Sequence, residues 1–475
     1  MPLMIINIMK LNMATGRSKK TGAIEDLRIS SDLFKNGFNI NIFGSQNFSV
    51  KYNQKIFSNL PHEAQKTLSA NFIYSRTAPL GLANKKRLVY QMSKPLVKAM
   101  ADYGLKNDLP RIAFSNQMKV RDLNKSFENR QIQFEKSGQG KQLLPPKKLS
   151  SKKSILAMSF GKDSLLSYGL AKEIGSDCQL AYVNEMESHY HIENEHKRKI
   201  IKDFCLEQKE KIEYLEDNVD SIFFQNNITG KLKEFDNSNG MLAFSLELLP
   251  IAYYYRAKYL ILGNEKNFDD YFRYQRIKAY PSFDQSSFYA QKLNQALSKL
   301  TGGNYQTISL VAPLYNLAEM KILYNRYPDL LKYVMSCDLD MTTSDKWCNQ
   351  CPMCANAYLY SAAVGGNPAQ IGLKQKLFES KCLSLYPLLE RHQTRAYEMP
   401  SQVREEQLLA FLLAYKQGWR GPLMDLFKQK YLNEAKRKEK KLRYKFFKIY
   451  SMNNIPKAFR AKLFNIFSGE LKQLI

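Results

Sequence analysis

No apolar run in this sequence approaches the ~20 residues a membrane span needs, so no segment is expected to cross a bilayer. No internal repeat is found along its 475 residues. The apolar start MPLMIINIM has no preceding basic stretch and no small-residue cleavage site. A secretory signal is therefore not expected, and Met13 offers a more ordinary beginning. The phosphate loop of the GxxxxGK[ST] type is absent. Histidine is scarce, at five residues: His62, His189, His191, His196 and His392. Seven cysteines are present, four of them between Cys337 and Cys354. In a large chain without a signal, that clustering favours metal binding over disulfides. Cys178, Cys205 and Cys382 are scattered and read as reduced thiols of a cytoplasmic protein.

Acidic residues are thin at both ends. The formal net charge is +27, with 44% apolar residues, enough for ordinary globular cores. Residues 1–150 carry 25 Lys and Arg against 9 Asp and Glu, a net of +16. Residues 151–370 carry 24 against 26, and residues 371–475 carry 22 against 9. Basic flanks suit RNA or other nucleic acid, an anionic membrane surface or a phosphorylated substrate. A lysine-rich chain decorating its solvated faces would show the same sums.

The pattern of elements divides the chain. Residues 1–135 read as an α+β domain, with short alternating stretches at Phe38–Phe43 and Phe48–Tyr52 and a helix over Lys86–Tyr103. Residues 136–153 read as a linker, rich in Gly, Pro and Lys. Over 154–370, apolar runs at Ser154–Met158, Gln179–Val183, Lys211–Leu215, Tyr259–Leu262 and Ile308–Val311 alternate with helical patterns. The helices fall at about Glu193–Gln208, Met241–Ala257 and Asn316–Arg326. That alternation specifies an α/β fold with a parallel sheet and helices on both faces. Residues 371–475 read as a basic helical extension, with Gln402–Tyr415 and Asp425–Tyr450 as its helices. Lys428–Tyr450 mixes cations with Tyr and Phe, as an RNA- or membrane-surface helix does, and as a solvated helix with one apolar stripe also does.

Ser159-Phe160-Gly161-Lys162-Asp163-Ser164 lies between a strand and a helix. A helix N-terminus offers unpaired N–H groups and a positive dipole end to phosphate. Small residues such as Gly161 let backbone approach an anion. Ser159 and Ser164 offer hydroxyl donors, Lys162 a charge, and Asp163 a ligand for magnesium. A serine-rich turn capping a helix would look similar. Asn184-Glu185 and Asn264-Glu265 follow later strands, where ligands meet an open sheet. The stretch EMESHYHIENEH adds Glu187, His189, His191 and His196 beside Glu185; His191 and Glu195 share a helical face. It suits a metal, a substrate contact or a polar surface loop. Arg273, Gln275 and Arg276 suit carboxylate or phosphate recognition, or a plain surface loop.

Cys337-x10-Cys348-x2-Cys351-x2-Cys354 has the spacing of a closed tetrahedral zinc site. An iron–sulfur cluster or free thiols are the alternatives. A structural metal here would supply folding energy to a segment with little core.

SFGKDS after a strand resembles the SGGxDS loop of N-type ATP pyrophosphatases, the PP-loop superfamily, with Phe160 in place of the usual glycine. The order continues with GNE after a strand, APLYNLAEMKI, then SC and WCxxCxxC. Over about residues 152–365 it is similar to the 7-cyano-7-deazaguanine synthase branch of that superfamily. The chain is longer than that synthase at both ends. It also resembles the ATP-dependent epimerase of UDP-N-acetylmuramoyl-L-alanyl-L-glutamate at Gly161–Ser164, Asn264-Glu265, Ser309–Pro313, Ser336-Cys337 and Trp347–Cys354, but residues 1–150 match nothing in it.

The resemblance implies an adenine-nucleotide alpha-hydrolase-like domain over 154–370 containing the four-cysteine site. It implies ATP, Mg2+ and Zn2+ as cofactors and an ATP pyrophosphatase that adenylates a carboxylate. The substrate would be a small or nucleotide-linked acid. Asp163, Lys162 and Ser164 would be catalytic; Ser159 and Gly161 would bind phosphate; Asn184, Glu185, Asn264 and Glu265 would contact nucleotide or substrate. An amide, a nitrile or an epimer could follow from the adenylate. A tRNA-modifying enzyme of the same superfamily, or an inactive homologue acting as a binding module, are the alternatives.

Overall fold

A computed structural model of the chain describes residues 26–43, 48–83, 86–185, 191–229, 232–337, 346–391 and 395–475. Its strands are β1 (Asp26–Phe34), β2 (Gly37–Ile42), β3 (Phe48–Lys51), β4 (Arg87–Tyr90), β5 (Ile132–Phe134), β6 (Ser150–Ala157), β7 (Asp177–Glu185), β8 (Ile212–Asp217), β9 (Ala257–Ile261), β10 (Phe272–Tyr274), β11 (Ile277–Ala279) and β12 (Gln306–Ile308). Ten of them form one sheet in the order β12-β9-β6-β7-β8-β3-β2-β1-β4-β5, and β10 pairs with β11 alone. The block β12-β9-β6-β7-β8 is parallel throughout. β3 joins it antiparallel, Val50 opposite Asp217. The sheet then runs antiparallel through β2 to β1, and parallel again to β4 and β5. Strands from residues 26–134 thus extend the sheet of the later segment.

Both faces of the sheet are covered, as parallel sheets require. Side chains alternate along each strand. Leu156, Tyr182 and Ile261 pack on one face, with the helices Lys162–Glu173, His191–Gln208, Asn316–Arg326 and Ser401–Lys416. Ile155, Ala181 and Leu260 pack on the other, with helices His62–Thr77, Lys98–Ser115, Gly240–Glu247 and Ser287–Thr301. The α/β class with a mostly parallel sheet and helices on both faces is therefore realised. Among the described residues, no helix is long and apolar enough to cross a membrane.

Three expected helices differ. Within Lys86–Tyr103 the run Arg87–Tyr90 is strand β4, and the helix starts only at Lys98. Arg-Leu-Val-Tyr holds a β-branched and an aromatic residue, and it pairs between β1 and β5, partners the sequence could not show. Met241–Ala257 is two helices, Gly240–Glu247 and Leu249–Tyr255. Pro250 removes an N–H from a continuous ladder and sits in the second helix's first turn. Arg256, left-handed at φ 59°, ends that helix, and Ala257 opens β9. Asp425–Tyr450 breaks at Tyr431, φ −125°, into Pro422–Lys430 and Leu432–Phe447.

Among the contacts that tie the C-terminal extension to the α/β unit, one reaches a helix N-terminus. Glu406 of helix Ser401–Lys416 is 1% exposed. It accepts Leu317 N at 2.9 Å and Asn316 Nδ2 at 3.2 Å, at the start of helix Asn316–Arg326. An acid there satisfies an orphan N–H and faces the positive dipole end. Glu406→Ala should lower unfolding free energy by about 2 kcal/mol, and Glu406→Gln by less. Urea denaturation measures it, and an Ala variant as stable as wild type would refute the capping role.

Candidate functional site

From β6 the chain steps outward through β7 and β8, while β9 and β12 lie on its other side. The direction of winding reverses beside β6, and ligands bind outside strand carboxyl ends at such a switch point. A crevice of about 280 Å³ opens there. Ser159, Asp163, Ser164, Glu185, Gly263 and Asn264 line it, so most of the anticipated residues meet in one place. Close approach of the β6 and β9 loops requires Gly263: a Cβ there would sit 2.9 Å from Asp163 Cβ. A smaller cavity adjoins, lined by Asn264, Glu265 and Gln285 among others.

The loop opens helix Lys162–Glu173, whose N-cap Gly161 makes no side-chain cap bond. Ser159 Oγ lies 3.3 Å from Ser164 Oγ, and Ser164 Oγ donates to Gly161 O at 3.1 Å. Phe160 is left-handed, φ 62°, and fully buried. Glycine takes that conformation freely, whereas a side chain there costs about 1 kcal/mol or more. The ring packs edge-on against Phe204, centroids 5.4 Å apart, which offsets that strain. Phe160 O accepts Met335 N at 2.7 Å.

The Lys162 ammonium is surrounded by carboxylates. It donates to Asp163 and Glu265, and to Glu319 Oε2 at 2.9 Å. Carboxylate oxygens of Asp163, Glu265 and Glu319 lie within 4.8 Å of one another, close enough to hold one cation. Glu319 is fully buried, and its Oε1 has no hydrogen-bond partner. Burial works against the Lys162 charge, but the three acids hold its pKa well above the ordinary value. Burial pushes Glu319 up, and Glu265 up to about 8, against the pull of Lys162. Asp163 is held down at about 2 by Lys162 despite its burial. Lys162 therefore spends its charge on these acids, where the sequence suggested a phosphate.

A second lysine reaches the loop. Lys197, 4% exposed and on helix His191–Gln208, lines the crevice. It donates to Ser159 O and, at 2.9 Å, to Met335 O. Glu319 and Lys197 were not singled out in the sequence. Glu319 had a signal, as an acid in the first turn of a helix following a strand; Lys197 had none that set it apart from Arg198 or Lys199. Asn184 is 6% exposed at the end of β7, and its Oδ1 lacks a partner. Glu187, His189 and His392 lie outside the described residues.

The four cysteines converge. Sγ separations are 3.8 Å for Cys337–Cys351, 3.7 Å for Cys348–Cys354, and 3.5 Å for both Cys351–Cys354 and Cys354–Cys337. Four sulfurs about 2.3 Å from a tetrahedral zinc stand roughly 3.8 Å apart, whereas a disulfide would need about 2.05 Å. The group fits a metal such as zinc. Backbone N–H groups of Cys348, Gln350 and Cys354 point at the sulfurs at 3.3–3.4 Å. Ser336, beside Cys337, accepts Lys162 N at 3.4 Å, so the cysteine knuckle also braces the loop.

The fold and site define an α/β protein with a polar crevice at its switch point and, adjoining its loop, a four-cysteine cluster that fits a metal. No family model matches the chain, and no curated protein matches it.

Two measurements follow. Purified protein should contain about one zinc ion per chain by elemental analysis, and Cys354→Ser should lose it together with several degrees of melting temperature. Full stability without metal would contradict a structural role. Glu265 has a folded pKa of about 8, above its ordinary carboxyl value, so folding takes up a proton between the two. Its contribution to stability is complete below pH ~4.3 and is lost as the pH rises through the folded value. Glu265→Gln should flatten that decline in denaturation curves taken from pH 5 to 9, and an unchanged slope would count against the assignment.

Proposed function

We propose that this protein is an ATP pyrophosphatase that adenylates a substrate carboxylate. The observation that carries the reading is the cluster of Lys162, Asp163, Glu265 and Glu319 beside the Ser159–Ser164 loop, at the sheet's switch point. The order of SFGKDS, GNE and the cysteine motif, which resembles PP-loop enzymes, supports it.

In this reading the loop N–H groups and the hydroxyls of Ser159 and Ser164 hold phosphate oxygens. A divalent ion such as magnesium, held by Asp163 with Glu265 and Glu319, would supply charge neutralisation at the phosphates. Lys197, and Lys162 once its acids have another cation, add positive charge on the leaving side. The substrate carboxylate oxygen attacks the α-phosphorus, the bond from that phosphorus to the β-bridging oxygen breaks, and pyrophosphate departs with the electron pair. An acyl-adenylate remains. Asn264 and Glu185 lie along the crevice where nucleotide or acid would rest. The acid is small or nucleotide-linked.

Product analysis of ATP turnover with magnesium, over a panel of carboxylic acids, tests this. AMP and pyrophosphate are expected, falling about 100-fold in Asp163→Asn. ADP with phosphate, or turnover untouched by the substitution, would overturn the reading.

A further inference from the structure

The hairpin β10–β11 holds Arg273, Gln275 and Arg276, which the crevice chemistry leaves unused. It is the apex of an excursion that leaves the crevice at Asn264 and returns at Gln285. Asn264 Nδ2 donates to Gln285 O at 3.2 Å across the base of that excursion. The hairpin's inner face is apolar: Phe272 and Ala279 are buried with Ala396, and Phe272 packs edge-on against Phe114 at 5.0 Å.

Its outer face is cationic at a cost to the fold. Arg273 stands directly opposite Lys278, and like charges so paired destabilise a ribbon. Arg276 adds a third charge at the turn, and all three residues are exposed. Gln275 and Arg276 are left-handed, φ 49° and 68°, in a turn that asparagine and glycine normally supply. Gln275 has a structural reason for it. Its side chain accepts Val120 N at 3.1 Å and donates to Met118 O at 3.0 Å, pinning the tip to the N-terminal segment. The Arg276 guanidinium has none, since it meets no hydrogen-bonding or ionic partner among the described residues. The Arg273 guanidinium braces the turn by donating to Arg276 O at 3.0 Å, so the strained and unpartnered Arg276 side chain is what points to a ligand.

Aromatic rings lead away from these cations. The Lys278 ammonium lies 4.5 Å over the Tyr271 ring. Tyr271 neighbours Tyr280 at 6.0 Å, and Tyr280 neighbours Phe288 at 6.3 Å. Phe288 is 53% exposed, and Ser287 before it lines the cavity adjoining the crevice. Cations that track a backbone, with an exposed ring at the end of the row, suit a flexible polyanion bearing bases. An anionic membrane would instead be met by a broad exposed apolar face, whereas this hairpin buries Phe272 and Ala279 and exposes Ile277 alone among its aliphatic side chains.

We propose that the β10–β11 hairpin binds single-stranded nucleic acid, with phosphates against Arg273, Arg276 and Lys278 and a base against Phe288, beside the crevice mouth. This holds whatever chemistry the crevice performs.

Fluorescence anisotropy of the full chain with labelled single strands of roughly 12 nucleotides, RNA in one arm and DNA in the other, reads it directly. Wild type should bind, more weakly as salt rises. Each phosphate contact on a single strand adds about 0.7 to the log–log salt slope, so a triple Arg273→Glu, Arg276→Glu, Lys278→Glu variant should lose about 2 from it and at least tenfold in affinity. Phe288→Ala should weaken binding about fivefold or more with the slope unchanged. Reversal of Lys436, Arg437 and Lys440 on helix Leu432–Phe447 should change neither. Arg276→Glu alone keeps the test decisive should the triple variant misfold. Binding by RNA, DNA or both supports the site and assigns the sugar. No binding in either arm, equal loss in the control variant, or capture by anionic vesicles in place of oligonucleotides overturns it.

Discussion

A buried ammonium among carboxylates is stable only when every partner is held in position, and Lys162 makes that demand of three separate parts of the chain. Asp163 comes from the first turn of the helix after β6, Glu265 from the loop after β9, and Glu319 from the helix after β12. The parallel order of those strands delivers all three to one edge. Opposite charges inside a low-dielectric pocket attract strongly, yet each carries a desolvation penalty, so a pair that loses one member is worse than none. Three acids around one base also leave an excess of negative charge. Burial, helped by repulsion among the acids, keeps Glu265 and Glu319 reluctant to ionise, and a further cation would relieve both.

The surrounding structure serves that arrangement. Gly263 lets β9 come against Asp163, and the Phe160 ring anchors the loop from beneath. Met335 and Ser336 hold the loop from the side, and the cysteine knuckle that follows them is packed into the core through Trp347. A metal bound there would rigidify the same backbone that receives Phe160 O and Lys162 N. Glu406 fixes the start of the helix carrying Glu319, so the C-terminal helices contribute to the crevice without lining it.

Local chemistry was legible in the sequence; long-range assembly was not. SFGKDS, Asn264-Glu265 and the four cysteines announce themselves by spacing, and the structure gathers the loop and Glu265 into one cluster and the cysteines into another. Helix Asn316–Arg326 was readable to the residue because its apolar period has no proline or glycine to blur it. Glu319 carried no weight until the sheet placed it opposite Lys162. Arg87–Tyr90 looked helical because its strand partners lie far away in sequence, at Asp26–Ile29 and Ile132–Phe134. The extension of the sheet through β3 against β8 rests on two pairs, Val50 with Asp217 and Lys51 with Glu216, far beyond the reach of any local pattern.

The most direct test of the central cluster is electron paramagnetic resonance of Mn2+ with the protein and ATP, comparing wild type with Glu319→Gln. A bound-ion signal that appears with nucleotide and weakens about tenfold or more in the variant is expected, since one of three carboxylate ligands is lost. Equal binding by both proteins, or no bound ion in either, would contradict the assignment of Asp163, Glu265 and Glu319 as a cation site.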